Sequence, residues 1–214
     1  MRVKFCGITR IEDAHEAVRL GAWAIGLNHW SESPRRCDPA TAVEIGAELR
    51  RKVALVGVFV NASLDQIAAA VEDENLAMVQ LHGDEGPSFC AEVARRTGAK
   101  VIKALRVRSS AEIQAAGAFR TDYHLLDAYR PEAPGGTGAR FDWGLARALP
   151  AQIPVILAGG LTAASVGAAI EIVRPFAVDV ASGVESSPGV KDHALMAAFA
   201  EAAGPAVTVG EVPR

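Results

Sequence analysis

The sequence has no apolar run long enough to span a bilayer, and its first residues, Met-Arg-Val-Lys-Phe-Cys, contain no apolar signal core. It also lacks any block of like charge. Its 22 Lys and Arg against 25 Asp and Glu give a formal net charge of −3, which argues against nucleic acid as the main partner. Cysteine is scarce: Cys6, Cys37 and Cys90 form no CxxC pair and cannot all pair internally. The expectation is therefore a reducing, cytoplasmic setting with no membrane partner. No cluster of His, Cys, Asp and Glu has metal-ligand spacing, and neither a metal nor another cofactor is expected. A dinucleotide fingerprint is missing too. The first apolar run ends in Cys6-Gly7-Ile8-Thr9, which argues against an open, doubly wound sheet.

What is present is alternation. Short β-branched runs occur at Val3–Cys6, Trp23–Leu27, Val53–Val60, Ala77–Leu81, Lys100–Leu105, Tyr123–Asp127, Pro154–Ala158 and Ala177–Val180. Alanine-rich amphipathic segments lie between them at Glu12–Leu20, Ala40–Arg51, Leu64–Glu72, Ser88–Thr97, Ala163–Ile172 and Ala194–Ala203. Weaker helical patterns appear near Ser110–Ala116 and Trp143–Ala148. Strands alternating with helices imply a parallel sheet, and eight strands is the number that closes a (β/α)8 TIM barrel. The α/β fold expected is one barrel domain over residues 1–203, followed by a loosely held tail at 204–214. Long connections follow strands 2 and 6, at Asn28–Asp38 and Ala128–Arg140. Loops after strands form the active face of such a barrel, so these two are the candidate lid and specificity elements.

The strand ends carry the chemistry-bearing residues. Cys6 ends strand 1, where it is either an inert buried thiol or a reactive group on the rim. Lys4 shares its face one layer down, and closure of the barrel makes Asp179 on strand 8 its natural partner. Asp127 ends strand 6, a costly place for a carboxylate without a task. Alternation there turns His124 toward the helices, a structural position, while His15 and His193 on helices are expected to be solvated. His82 ends strand 4 and either touches a ligand or hydrogen-bonds the rim. Cys37 and Cys90 read as buried and inert. After strand 6, Gly135-Gly136-Thr137-Gly138 allows backbone N–H groups to approach an anion or a lid to move, and Asp142 is a plausible helix N-cap. Gly159-Gly160 after strand 7 and Ser182-Gly183 after strand 8 occupy the recurring phosphate site of this fold. In Ser33-Pro34-Arg35-Arg36, a guanidinium is available to grip a carboxylate bidentately, although at least one of the two arginines is expected to be a surface residue.

Taken in order, Lys4-Phe5-Cys6-Gly7-Ile8-Thr9, Ser33-Pro34-Arg35, Gln80-Leu81-His82-Gly83, Leu126-Asp127, Gly135-Gly136-Thr137-Gly138, Phe141-Asp142-Trp143, Leu157-Ala158-Gly159-Gly160-Leu161 and Ser182-Gly183-Val184-Glu185 resemble the phosphoribosylanthranilate isomerases of tryptophan biosynthesis. The resemblance runs to about Asp192. It departs from the family pattern at Asn28-His29-Trp30 after strand 2 and at Ser165 after Gly160-Leu161. It implies a (β/α)8 enzyme that binds a phosphoribosylated anthranilate, carries out an Amadori rearrangement without a cofactor, and works as a monomer or homodimer. By resemblance Cys6 is the general base and Asp127 the general acid. Arg35 lies at the anthranilate carboxylate, and Gly136, Thr137, Gly138, Gly159, Gly160, Ser182 and Gly183 form the phosphate side; His82 at the end of strand 4 is a candidate substrate contact beside them. Two other functions compete. One is a broader sugar-phosphate isomerase, which would pair two aspartates where this chain has Cys6. The other is a non-catalytic phosphate-binding barrel, which would have lost Cys6 or Asp127.

Overall fold

The computed structural model describes residues 1–106, 116–127 and 153–205. Eight parallel strands close on themselves in chain order: β1 (Arg2–Cys6), β2 (Ala24–Asn28), β3 (Ala54–Phe59), β4 (Met78–Leu81), β5 (Lys100–Arg106), β6 (Tyr123–Asp127), β7 (Val155–Ala158) and β8 (Ala177–Val180). The closing seam pairs β1 with β8 in the register Val3↔Val178, Lys4↔Asp179 and Phe5↔Val180. Helices α1 (Ile11–Arg19), α2 (Pro39–Leu49), α3 (Leu64–Asp73), α4 (Pro87–Thr97), α5 (Ala163–Val173) and α6 (His193–Ala203) follow β1, β2, β3, β4, β7 and β8. The helical patterns at 110–115 and 143–148, and the tail beyond 205, lie outside the described residues.

Local chemistry explains the helix starts. Asp38 accepts from the N–H groups of Ala40 and Thr41, and Pro39 fills the first helical position of α2, where no N–H is needed. Ser63 and Gln66 form a reciprocal capping box on α3. Asp192 caps α6 through Ala194 and Leu195. At the other end, Gly98 closes α4 at a φ of 68°, a left-handed value that glycine reaches without a Cβ penalty.

Strand alternation then sorts the core into two shells. Outward residues such as Phe5, Ile25, Leu55, Val79, Leu126, Leu157 and Val178 pack against the helices. Inward residues such as Ala24, Val56, Met78, Ile102, Leu125, Ile156 and Ala177 fill the barrel. Trp23, Tyr123 and Phe176 plug its N-terminal mouth, Trp23 meeting both other rings edge to face and Tyr123 tilted against Phe176, with ring centroids 5.3–5.6 Å apart, and the Arg2 guanidinium lies 4.2 Å above the Phe176 ring. His124 faces outward as expected. It is buried, and its Nε2 lies 3.1 Å from the Phe119 carbonyl.

Two features depart from the sequence reading. A two-stranded antiparallel hairpin, β9 (Glu185–Ser187) and β10 (Val190–Lys191), follows a short 3-10 turn at Ser182–Val184. Such short, largely polar strands carry no hydrophobic period for a sequence to reveal. His193 is also more than a solvated helix residue. Its Nε2 sits 2.9 Å from Oδ1 of fully buried Asp13, which also binds Arg10 and the Lys191 backbone N–H. No helix among the described residues is long and apolar enough to cross a membrane.

Candidate active site

Above the inward side chains, at the C-terminal rim of the strands, lies a cavity of about 380 Å³. It gathers Cys6 from β1, Arg35 from the β2–α2 loop, His82 after β4 and Asp127 from β6. Gly159 and Gly160 after β7, and Ser182 and Gly183 after β8, line the same space. Of the site residues expected from sequence, Gly136, Thr137 and Gly138 lie outside the described residues, as does Asp142.

The floor beneath Cys6 is charged. Lys4, fully buried, donates from Nζ to Asp179 Oδ1 at 2.7 Å, the pairing expected from barrel closure. Gly26 makes this possible. A Cβ there would stand 2.8 Å from Cys6 Sγ and 3.2 Å from Lys4 Nζ, so the missing side chain leaves room for the thiol and the ammonium. Burial opposes the charge on Lys4, but Asp179 and Cys6 outweigh it and raise its pKa. For Cys6, burial pushes the thiol up and Asp179 adds to that, while Lys4 and, more weakly, Lys191 pull it down; the balance is a raised pKa. The second cation near the thiol is Lys191, because the Arg35 guanidinium is held elsewhere.

Its holder is Glu185. Arg35 donates from Nε (2.9 and 3.1 Å) and Nη2 (2.7 Å) to the two carboxylate oxygens, and Lys191 Nζ reaches Oε1 at 2.8 Å. The Glu185 pKa is lowered: burial resists ionisation, but the hydrogen bonds and charges of Arg35 and Lys191 exceed it. In Ser182-Gly183-Val184-Glu185 the sequence assigns Glu185 no role. Arg36 is exposed, does not line the cavity, and pairs with Asn28 only through a backbone β-bridge, so it is the surface member of the arginine pair.

Across the barrel, Asp127 meets His82. Gln80, buried and inward on β4, donates from Nε2 to His82 Nδ1 at 2.9 Å. With Nδ1 accepting, the ring N–H is on Nε2, 3.4 Å from Asp127 Oδ2. His82 thus bonds the rim and also lines the cavity. Gln80 was missed as a site residue, although counting two positions back from His82 along β4 would have put it on the inward face. The loop bearing His82 is anchored by Glu85, which accepts from the N–H groups of Asn61 and Gly83 and pairs with buried Lys103 at 2.8 Å.

The rim after β7 and β8 is shaped by glycine. Gly159 and Gly160 adopt φ values of 92° and 66°, and a Cβ on Gly183 would stand 2.0 Å from the Leu161 carbonyl oxygen. Cys37 and Cys90 are buried as expected, and burial with Glu74 and Asp38 nearby pushes the Cys37 thiol up to about 12. Among the described residues, no group of three or more His, Cys, Asp or Glu is arranged to hold a metal ion.

Comparison with known proteins agrees with this geometry. The family model for N-(5'-phosphoribosyl)anthranilate (PRA) isomerase matches residues 3–202. The N-(5'-phosphoribosyl)anthranilate isomerase of Geobacter metallireducens is 47% identical over 199 residues, 93% of this chain and 96% of that protein. The enzyme of the same name from Pseudomonas fluorescens is 48% identical over 206 residues, 94% of this chain and 95% of that one. Among solved structures, phosphoribosyl anthranilate isomerase from Thermotoga maritima superposes with a TM-score of 0.85 at 41% identity, covering 95% of this chain and 98% of that chain. A phosphoribosyl anthranilate isomerase in complex with reduced 1-(o-carboxyphenylamino)-1-deoxyribulose 5-phosphate gives 0.83 at 39%, with the same coverage. The chain belongs to the N-(5'-phosphoribosyl)anthranilate isomerase family, isomerases of tryptophan biosynthesis.

Proposed function

We propose that the rim cavity isomerises N-(5'-phosphoribosyl)anthranilate to 1-(o-carboxyphenylamino)-1-deoxyribulose 5-phosphate by an Amadori rearrangement, with Asp127 as general acid and Cys6 as general base. Asp127 protonates the ribose ring oxygen as the C1–O bond breaks, and the anthranilate nitrogen lone pair completes a Schiff base. The Cys6 thiolate then removes the C2 proton, and the electrons flow to nitrogen to give the enolamine, which tautomerises to the ketone. Each proton transfer is worth about 10²–10⁴-fold.

The observation that carries this reading is that Cys6 and Asp127 line one cavity from strands on different sides of the barrel, β1 and β6. A sugar between them would be approached by an acid and a base from different directions. Arg35, at the edge of that cavity, is the group that meets the anthranilate carboxylate. Gly159, Gly160, Ser182 and Gly183, with Gly136, Thr137 and Gly138 from the strand-6 loop, receive the phosphate through backbone N–H groups. His82, with Nε2–H toward Asp127, keeps that carboxylate in place and contacts the substrate.

We further propose a single-domain enzyme over residues 1–203, without cofactor or nucleic-acid or membrane partner, working in the cytoplasm as a monomer or homodimer. Among the similar structures are monomers generated from the dimeric phosphoribosylanthranilate isomerase of Thermotoga maritima. The broader isomerase remains the competing reading. An assay following loss of phosphoribosylanthranilate fluorescence, run beside one for the analogous histidine-pathway aldose, separates them. Turnover of the first alone is expected; comparable turnover of both would contradict the assignment of Cys6 as a base suited to one substrate.

A further inference from the structure

A bidentate ion pair at the rim joins Arg35 to Glu185, residues 150 positions apart in the chain. An arginine on a loop has a long, freely rotating stem, and its planar fork recognises a carboxylate only when the plane is aimed. Glu185 supplies that aim. Both of its oxygens engage Nε and Nη2, which fixes the guanidinium plane. The carboxylate is itself braced by buried Lys191, which also donates to the Ala181 carbonyl at 3.1 Å.

Charge and packing point the same way. Glu185 alone would cancel Arg35, but Lys191 restores one net positive charge to the trio, so the cluster still attracts an anion. The hairpin carrying Glu185 and Lys191 presses on the arginine loop. Gly189, at a φ of 83°, leaves the space where a Cβ would stand 3.0 Å from the Pro34 carbonyl oxygen, and Thr9 Oγ1 donates to the Gly189 carbonyl. The loops after β1 and β2 are thereby strapped to the end of β8.

We infer that Glu185, braced by Lys191 on the β9–β10 hairpin, is a positioning residue that aims Arg35 and so sets the enzyme's selectivity for a substrate bearing a carboxylate. The inference rests on the reading of Arg35 as the carboxylate clamp, and its test separates the two.

Two ligands suffice: the reduced product analogue 1-(o-carboxyphenylamino)-1-deoxyribulose 5-phosphate and the same compound without its carboxyl group. Titration calorimetry measures both against the wild type, Arg35→Ala, Glu185→Gln and the double variant. Glu185→Gln is expected to weaken the carboxylate ligand about tenfold, one decade of binding constant, and to leave the other ligand unchanged. In the Arg35→Ala background the Glu185 change should have no further effect. Equal losses for both ligands, unchanged affinity or tighter carboxylate binding in Glu185→Gln would overturn the positioning role. If Arg35→Ala binds both ligands as the wild type does, the clamp reading fails instead. Should Glu185→Gln prove too unstable to titrate, Glu185→Asp keeps the charge and shortens the reach, and the same selective loss is required of it.

Discussion

A buried thiol resists ionisation because its thiolate loses hydration, and at Cys6 the Asp179 carboxylate adds to that resistance. Lys4 offsets part of it. The proposed base is therefore strong when formed but sparsely formed near neutral pH, and the rising limb of kcat/KM should have its midpoint above that of a free thiol, about 8.5. Lys4→Met removes the larger of the two opposing cations, so the rising limb should move to still higher pH. The same change strands Asp179 in the barrel and should cost about 3–5 kcal/mol, read as a lowered Tm. A limb that stays put or moves down would remove Lys4 from the account of Cys6. The two arginines give a second residue-scale prediction. Arg35→Ala should raise KM by roughly tenfold or more, as expected when a contact made equally in ground and transition states is lost, whereas Arg36→Ala, outside the cavity, should leave KM within about twofold. Sensitivity at Arg36 instead would put the wrong guanidinium at the substrate.

At the scale of elements, the glycine turns after β7 and β8 make a sharper case than any side chain near them. Gly183→Ala places a Cβ against the Leu161 carbonyl oxygen, a backbone atom that cannot swing aside. The turn must shift, and inorganic phosphate, expected to inhibit competitively, should bind markedly more weakly to the variant. An unchanged inhibition constant would put the anion elsewhere. Much of this layer was legible in the sequence because strands reveal their inward face by counting in twos. Lys4, Cys6, Asp127 and Asp179 all fall where alternation puts them, and the Lys4–Asp179 pair follows from closure alone. The grip of Glu185 on Arg35 was not legible, since it joins a turn after β8 to a loop after β2 through a hairpin with no hydrophobic period. Gln80 escaped for a different reason. A neutral amide in an apolar strand has no charge to draw attention, and its part depends on the imidazole two residues away.

At the scale of the whole molecule, three carboxylates among the described residues combine a buried side chain with a lowered pKa, Asp13, Glu85 and Glu185, and hold neighbouring segments together. Each titrates lower when folded than unfolded. The stability each contributes is present above the unfolded values of about 3.9 for Asp and 4.3 for Glu, and is lost as pH falls through the folded ones. The Tm should therefore fall steeply below about pH 4, and less steeply in Glu185→Gln, which has lost one of the three. Parallel slopes would mean that Glu185 is not ionised in the folded protein to any stabilising degree. The central claim, an acid and a base facing one sugar across the barrel, is tested most directly by kcat for Asp127→Asn and Cys6→Ala, with Tm and binding of the reduced product analogue measured alongside. The account requires kcat to fall by about 10²-fold or more in each variant, with the fold and analogue binding retained. Near-wild-type turnover in either one would contradict it.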